Sequence, residues 1–259
     1  MPEGPSIIIV KELVQQFKGK KIIKVEGNSK LDIKRLEGKT IIDFKSWGKH
    51  FLICFKDFTV RIHFMMFGTY RINEQKDASP RLRLIFKKGE LNLYTCSVKF
   101  IDEDIDDVYD WTSDVMNDHW DSKATKKKLK LIPDTLVCDA LLDQNIFAGV
   151  GNIIKNEVLF RVRLHPETFI KNIPVKKLNE LLKESRNYSF DFLEWKKEFV
   201  LKKHWLAYAK KICPRDHVAF IKTHLGKTKR RTFYCDVCQI LYESKINELT
   251  DKSSSKQIV

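Results

Sequence analysis

Apolar side chains recur at helical spacing between residues 5 and 17, with Ile9, Leu13, Val14 and Phe17 on one face and Gly19 as the stop. From Ile22 to about Phe100 the period shortens. Runs at 49–55 (KHFLICF), 59–63 (TVRIH) and 82–86 (LRLIF) alternate or cluster apolar residues between Gly, Asn and Asp turn signals, as the strands of a sandwich or barrel do. Helical spacing returns after about residue 125, in 136–144, 152–160 and 175–193. A small Cys/His module follows, and the last residues, 250–259 (TDKSSSKQIV), have the composition of a disordered tail. The pattern predicts an α+β chain of two domains, β-rich and then helical.

Charge sharpens the division. Residues 102–121 carry nine Asp/Glu and no Lys/Arg, which reads as a solvated connection repelled by a polyanion and sets the expected units at 1–121, 122–205 and 206–243. The formal net charge is +14, and residues 196–231 hold twelve Lys/Arg against two acidic residues. Concentrated positive charge calls for a polyanionic partner, nucleic acid or an anionic membrane surface. The membrane fits poorly, because no apolar run approaches the roughly 20 residues of a span and no basic segment carries a lipid-facing aromatic stripe. The start lacks the basic region of a secretory signal, so a cytoplasmic location, nucleoid-associated in a bacterium, is expected. Cysteines there stay reduced. Cys54, Cys96 and Cys138 are scattered and read as core filler, whereas Cys213, Cys235 and Cys238 are clustered and suggest a metal.

The start Met-Pro-Glu-Gly-Pro admits two readings. One is a polar start with a helix entry at Pro5. The other is chemical: removal of Met1 exposes the secondary amine of Pro2 beside the carboxylate of Glu3. An α-amine titrates near 7.7–8.0, so roughly a tenth is free at pH 7, against under a thousandth of a lysine. Attack by that amine on a deoxyribose C1′ gives a cationic iminium, which acidifies the neighbouring sugar proton and drives strand cleavage by elimination. A carboxylate alongside can shuttle protons during ring opening and base departure.

This start, the stretch Trp47-Gly48-Lys49-His50-Phe51-Leu52, the long segment 141–160 (LLDQNIFAGVGNIIKNEVLF) and the end 226–239 (GKTKRRTFYCDVCQ) resemble, in order, four motifs of the endonuclease VIII/formamidopyrimidine-DNA glycosylase (Nei/Fpg) family. The resemblance implies an N-terminal β-sandwich flanked by helices, and a C-terminal helix-two-turn-helix domain with a zinc-finger β-hairpin. It implies Pro2 as nucleophile, Glu3 as its proton-transfer partner and Lys49 as a catalytic lysine. Asn152, read from the sequence as the N-cap of the following helix, and Arg230 would grip the phosphates around the lesion. Met66, within 63–68 (HFMMFG), would enter the base stack as a wedge, supported by Met65 and Phe67, since a base must be extruded before it can be cut. The expected partner is duplex DNA with oxidised bases or abasic sites, with single-stranded DNA open, bound by a monomer.

Departures from the family pattern bear on metal and substrate. The first C-x2-C pair reads Cys213-Pro214-Arg215-Asp216-His217, so the fourth ligand of one structural Zn2+ falls to His217 or Asp216, with His224 a weaker candidate. Nitrogen and sulfur dominate structural zinc sites, which favours Cys213, His217, Cys235 and Cys238. The start MPEGP leans to the endonuclease VIII branch and oxidised pyrimidines, and 96–102 (CSVKFID) replaces the loop by which the other branch reads the opposite base. The segment 190–208 is also short for the loop that caps 8-oxoguanine in that branch. Ser6 stands where the family carries a Glu. An oxidised-purine glycosylase, a silent DNA-binding relative and a zinc-dependent RNA-binding module are the competing classes.

Overall fold

The computed structural model describes residues 2–243, so the predicted tail at 250–259 lies outside the described residues. Helix α1 (Gly4–Leu13) starts with Pro5 in its first turn and tightens into a 3-10 turn at Val14–Phe17 before Gly19 ends it. Ile7, Val10, Val14 and Phe17 pack into the sandwich, while Ile8 and Ile9 pack against the helical domain. Two cores thus explain why residues 7–10 are apolar all round the helix. Leu13, placed by spacing on the buried face, is exposed instead, on the wall of the cavity described below.

Eight strands follow: β1 (Ile22–Glu26), β2 (Asp43–Trp47), β3 (His50–Cys54), β4 (Thr59–His63), β5 (Thr69–Ile72), β6 (Leu82–Phe86), β7 (Glu90–Tyr94) and β8 (Ser97–Ile101). They form two antiparallel four-stranded sheets, ordered β1-β6-β7-β5 and β2-β3-β4-β8. Strand alternation sends Phe51, Ile53, Val60 and Ile62 into the space between the sheets, where they meet Ile22, Leu84, Leu91 and Leu93. The opposite face of the second sheet presents Trp47, Leu52, Cys54 and Ile101.

That face is covered by the acidic stretch, which is therefore not a merely solvated connection. Ile105 and Tyr109 pack on the sheet while Val115 and Met116 enter the helical core. Several of its acids serve local structure: the side chains of Asp104, Asp110 and Asp121 each accept from the amide two residues on, capping α2 (Ile105–Val108), a 3-10 turn and α3 (Ser122–Lys130). Asp110 also pairs with Lys128.

Beyond it lie α4 (Val137–Ala140), α5 (Asn152–Arg161) and α6 (Val175–Lys197). The run 136–144 is helical only over α4, because the chain then turns repeatedly to deliver Gly149 and Gly151 to the site. Strands β9 (Ile221–Leu225) and β10 (Arg230–Tyr234) make the predicted hairpin. Among the described residues no helix is long and apolar enough to cross a membrane.

Candidate active site and metal centre

Three chain segments meet backbone to backbone at the junction of the domains. The amide of Gly4 donates to the Gly149 carbonyl at 2.9 Å. A Cβ on Gly48 would stand 2.8 Å from the Gly149 nitrogen, and one on Gly151 would stand 2.3 Å from the Glu3 carboxyl carbon. Side chains at these points would wedge the segments apart. The contact brings the N-terminus, the β2–β3 turn and the turn before α5 together.

Glu3 is fully buried there, and its carboxylate accepts from the amides of Ile153 at 2.8 Å and Ile154 at 3.2 Å. It caps α5 from outside the helix, a favourable place for a carboxylate. The expectation that Asn152 is the cap is corrected accordingly. Gly151 occupies the cap position, its missing side chain making room for Glu3, and Asn152 is the first helical residue. Asn152 is buried, with Nδ2 donating to the Arg231 carbonyl at 2.9 Å and Oδ1 unpartnered among the described residues.

Lys49 leaves the turn after Gly48, whose φ of 52° suits glycine and whose amide donates to Asp114 at 3.0 Å. Burial pushes the Lys49 ammonium below its usual pKa; the Glu3 carboxylate opposes that shift and Arg230 adds to it. Burial pushes Glu3 up, opposed by Lys49 and the two amides. Opposite displacements of an acid and a base in one buried site suit proton transfer. Lys155, buried in α5, is held down to about 8 by burial, and its field is shared with Arg230 and Glu3. The structure thus gathers Glu3, Lys49 and Arg230 and adds Lys155. Pro2 lines a cavity of about 1510 Å³ beside them. Ser6 lines it too, its hydroxyl buried without a partner among the described residues.

Sequence reasoning missed the groups that hold this arrangement. Asp114 positions the Lys49 turn. Asn156 accepts from the Phe233 amide at 2.8 Å and donates to the Asn152 and Arg231 carbonyls, while Lys155 Nζ donates to Thr232 Oγ1 at 2.8 Å, so α5 is stitched along β10. Glu157 accepts from the amides of Leu206, Ala207 and Tyr208. The signal was present: Lys155, Asn156 and Glu157 interrupt an apolar helix, and buried polar runs need partners.

The wedge candidates stand out from the β4–β5 turn. Met65, Met66 and Phe67 are 53%, 52% and 76% exposed, although Phe64 just before them is buried. Consecutive apolar residues at a turn tip have no core to enter.

In the hairpin module Cys213, Asp216, Cys235 and Cys238 come together, all ligand atoms lying within 4.8 Å of one another. The Cys213 and Cys238 sulfurs are 3.9 Å apart, and Asp216 Oδ2 lies 3.4 Å from Cys213 and 3.3 Å from Cys235. Tetrahedral zinc with Zn–S near 2.3 Å and Zn–O near 2.0 Å needs separations of about 3.5–3.8 Å. The residues fit the metal. The choice of His217 is corrected: it is exposed, in a left-handed turn at φ 57°, and outside the cluster, as is His224.

A β-sandwich joined through glycine contacts to a helical domain with a Cys-bearing hairpin matches solved DNA glycosylase structures in fold. The solved Lactococcus lactis formamidopyrimidine-DNA glycosylase, bound to DNA containing an AP site, superposes with a TM-score of 0.80 at 23% identity, over 92% of this chain and 99% of that one. A viral DNA glycosylase superposes at 0.78 with 20% identity, over 92% and 100%. Residues 1–101 match the Formamidopyrimidine-DNA glycosylase N-terminal domain, and residues 112–188 its H2TH domain. The Formamidopyrimidine-DNA glycosylase of Lactobacillus helveticus is 30% identical over 70% of this chain and 73% of its own. Endonuclease 8-like 3 of Mus musculus is 29% identical over 74% of this chain, and the match spans 33% of that longer protein. The chain belongs to the Nei/Fpg family and sits with its endonuclease VIII-like members.

Proposed function

We propose that this chain is a base-excision repair DNA glycosylase with AP lyase activity, removing oxidised bases, pyrimidines in preference to purines, from duplex DNA as a monomer. The observation that carries the reading is the meeting of Glu3, Lys49 and Arg230 beside the cavity that Pro2 lines. Once Met1 is removed, the Pro2 nitrogen attacks C1′ of the extruded nucleotide and the glycosidic bond breaks. Glu3, whose raised pKa retains a proton to higher pH than a free carboxyl, protonates the ring oxygen as the ring opens to the iminium, and the proton shed by the Pro2 nitrogen after attack balances the one taken up by the departing base. The cationic iminium acidifies the C2′ proton, and its loss expels the 3′-phosphate; δ-elimination then releases the 5′-phosphate where the reaction proceeds further. Lys49 and Arg230 neutralise the phosphates that approach this centre. Cys213, Asp216, Cys235 and Cys238 would hold one zinc ion, which supplies no chemistry to the reaction and fixes the hairpin that presents Arg230.

Borohydride reduction on abasic-site duplex tests the reading. It should leave a covalent protein–DNA adduct in a chain whose intact mass shows Pro2 first. A chain with Met1 retained that traps as much adduct would overturn the proline mechanism.

A further inference from the structure

Helix α6 ends in an unusual way. The Phe199 amide donates to the Lys196 carbonyl at 3.2 Å and the Val200 amide to the Trp195 carbonyl at 2.9 Å, the paired bonds of a Schellman cap. The residue between them must adopt left-handed backbone, which is why glycine usually stands there. Here it is Phe199, with φ 61° and 95% of its surface exposed. A bulky residue at positive φ is a genuine outlier, and so large an exposed ring gains nothing for folding. Strain of this kind points from the outlier towards function.

Phe199 lines the rim of the cavity that Pro2 also lines, together with Lys196, Lys202 and Lys203. An extruded base is one bond from the C1′ that Pro2 attacks, so it must come to rest in this cavity. The lysines suit the phosphates of the same nucleotide. We infer that Phe199 is the stacking platform for the extruded base and sets affinity for lesions that still carry one, an inference that rests on the proposed glycosylase reading.

Phe199→Gly should keep or raise the melting temperature, since glycine accepts this backbone without strain. It should raise the half-saturating concentration for single-turnover excision of an oxidised pyrimidine about tenfold, the scale of losing one base–aromatic stack. Its Kd for a duplex carrying a tetrahydrofuran abasic analogue, which has no base to stack, should stay at the wild-type value. Phe199→Trp should excise with wild-type half-saturation. Equal weakening on both duplexes would place the ring against the DNA backbone and overturn the inference, as would wild-type half-saturation in Phe199→Gly. If wild-type protein forms no borohydride adduct, the glycosylase reading fails; if it forms one while Phe199→Gly excises normally, only the stacking role fails.

Discussion

Glu3 caps α5 through two amides, and in the proposed mechanism the same carboxyl is also the proton donor. Glutamine keeps one acceptor oxygen for the cap and loses the titrating proton. Glu3→Gln should therefore lower base excision by roughly 100-fold or more, the range for a lost general acid, while cleavage of preformed abasic sites persists. Equal loss of both rates would assign Glu3 to the cap alone. His50 gives a separate, acid-side test. Burial holds its pKa down to about 3 from 6.5, with Arg61, His63 and Lys49 adding to the shift. The folded state then binds the proton more weakly than the unfolded state does. The contribution is complete above pH 6.5 and is lost as pH falls towards 3. His50→Gln should flatten that limb of the urea-unfolding stability profile, and an unchanged slope would show that other groups set it. Pro2, Glu3 and Lys49 could be proposed from the sequence because the chemistry asked of them is written in residue type and local motif. Asp114 and Lys155 were not, because their roles depend on contacts across 66 and 77 positions of sequence.

Among the elements, the stitching of α5 to β10 decides where Arg230 stands. Asn156 pairs a buried Phe233 amide, and leaving such a group unmet costs about 1–3 kcal/mol. Asn156→Ala should lose stability of that order in denaturant titration and lower excision with it, since β10 would be held to the helix by Asn152 and Lys155 alone. At the other end of the hairpin the donor set has three sulfurs and one carboxylate oxygen. Asp216→Ala should reduce bound zinc in metal analysis, Asp216→Cys should retain it, and His217→Ala should leave it unchanged. Zinc lost from His217→Ala but not from Asp216→Ala would reverse the assignment. Strands β3, β4 and β6 were readable almost to the residue, because alternation is a local signal. The reach of helix in 136–144 was not. Leu141, like Ile146 and Phe147 just beyond the run, is buried by turns that place Gly149 against Gly4 and Gly48, and apolar spacing cannot distinguish burial in a turn from burial in a helix. Nor could charge reveal that the acidic stretch packs on a sheet, since its acids mask the intervening Ile105 and Tyr109.

Along the chain the charge is divided: nine acids fall in 102–121, whose Ile105 and Tyr109 pack on the outer sheet face, and lysines and arginines crowd 196–231. DNA should therefore be gripped where that positive charge lies; Lys196, Lys197, Lys202 and Lys203 of this stretch line the cavity together with Met66 and Phe67 of the wedge turn. Arg230 belongs to the same stretch and is close enough to depress the pKa of both Lys49 and Lys155. Its removal has two separable consequences. One phosphate contact is lost, so the slope of log K against log salt should shrink by about one, equally for every lesion, because phosphate contacts position the duplex without reading it. The field on Lys49 also relaxes, so the Lys49 pKa should rise and any fall in excision at high pH should move to higher pH. Arg230→Ala should do both while keeping its zinc, with a larger loss on lesion duplex than on undamaged DNA, since the extruded state concentrates phosphates at the centre. A variant that keeps the wild-type salt slope but changes the preferred lesion would mean that Arg230 reads the base, and the division between a cationic surface that holds DNA and a cavity that selects the base would have to be abandoned.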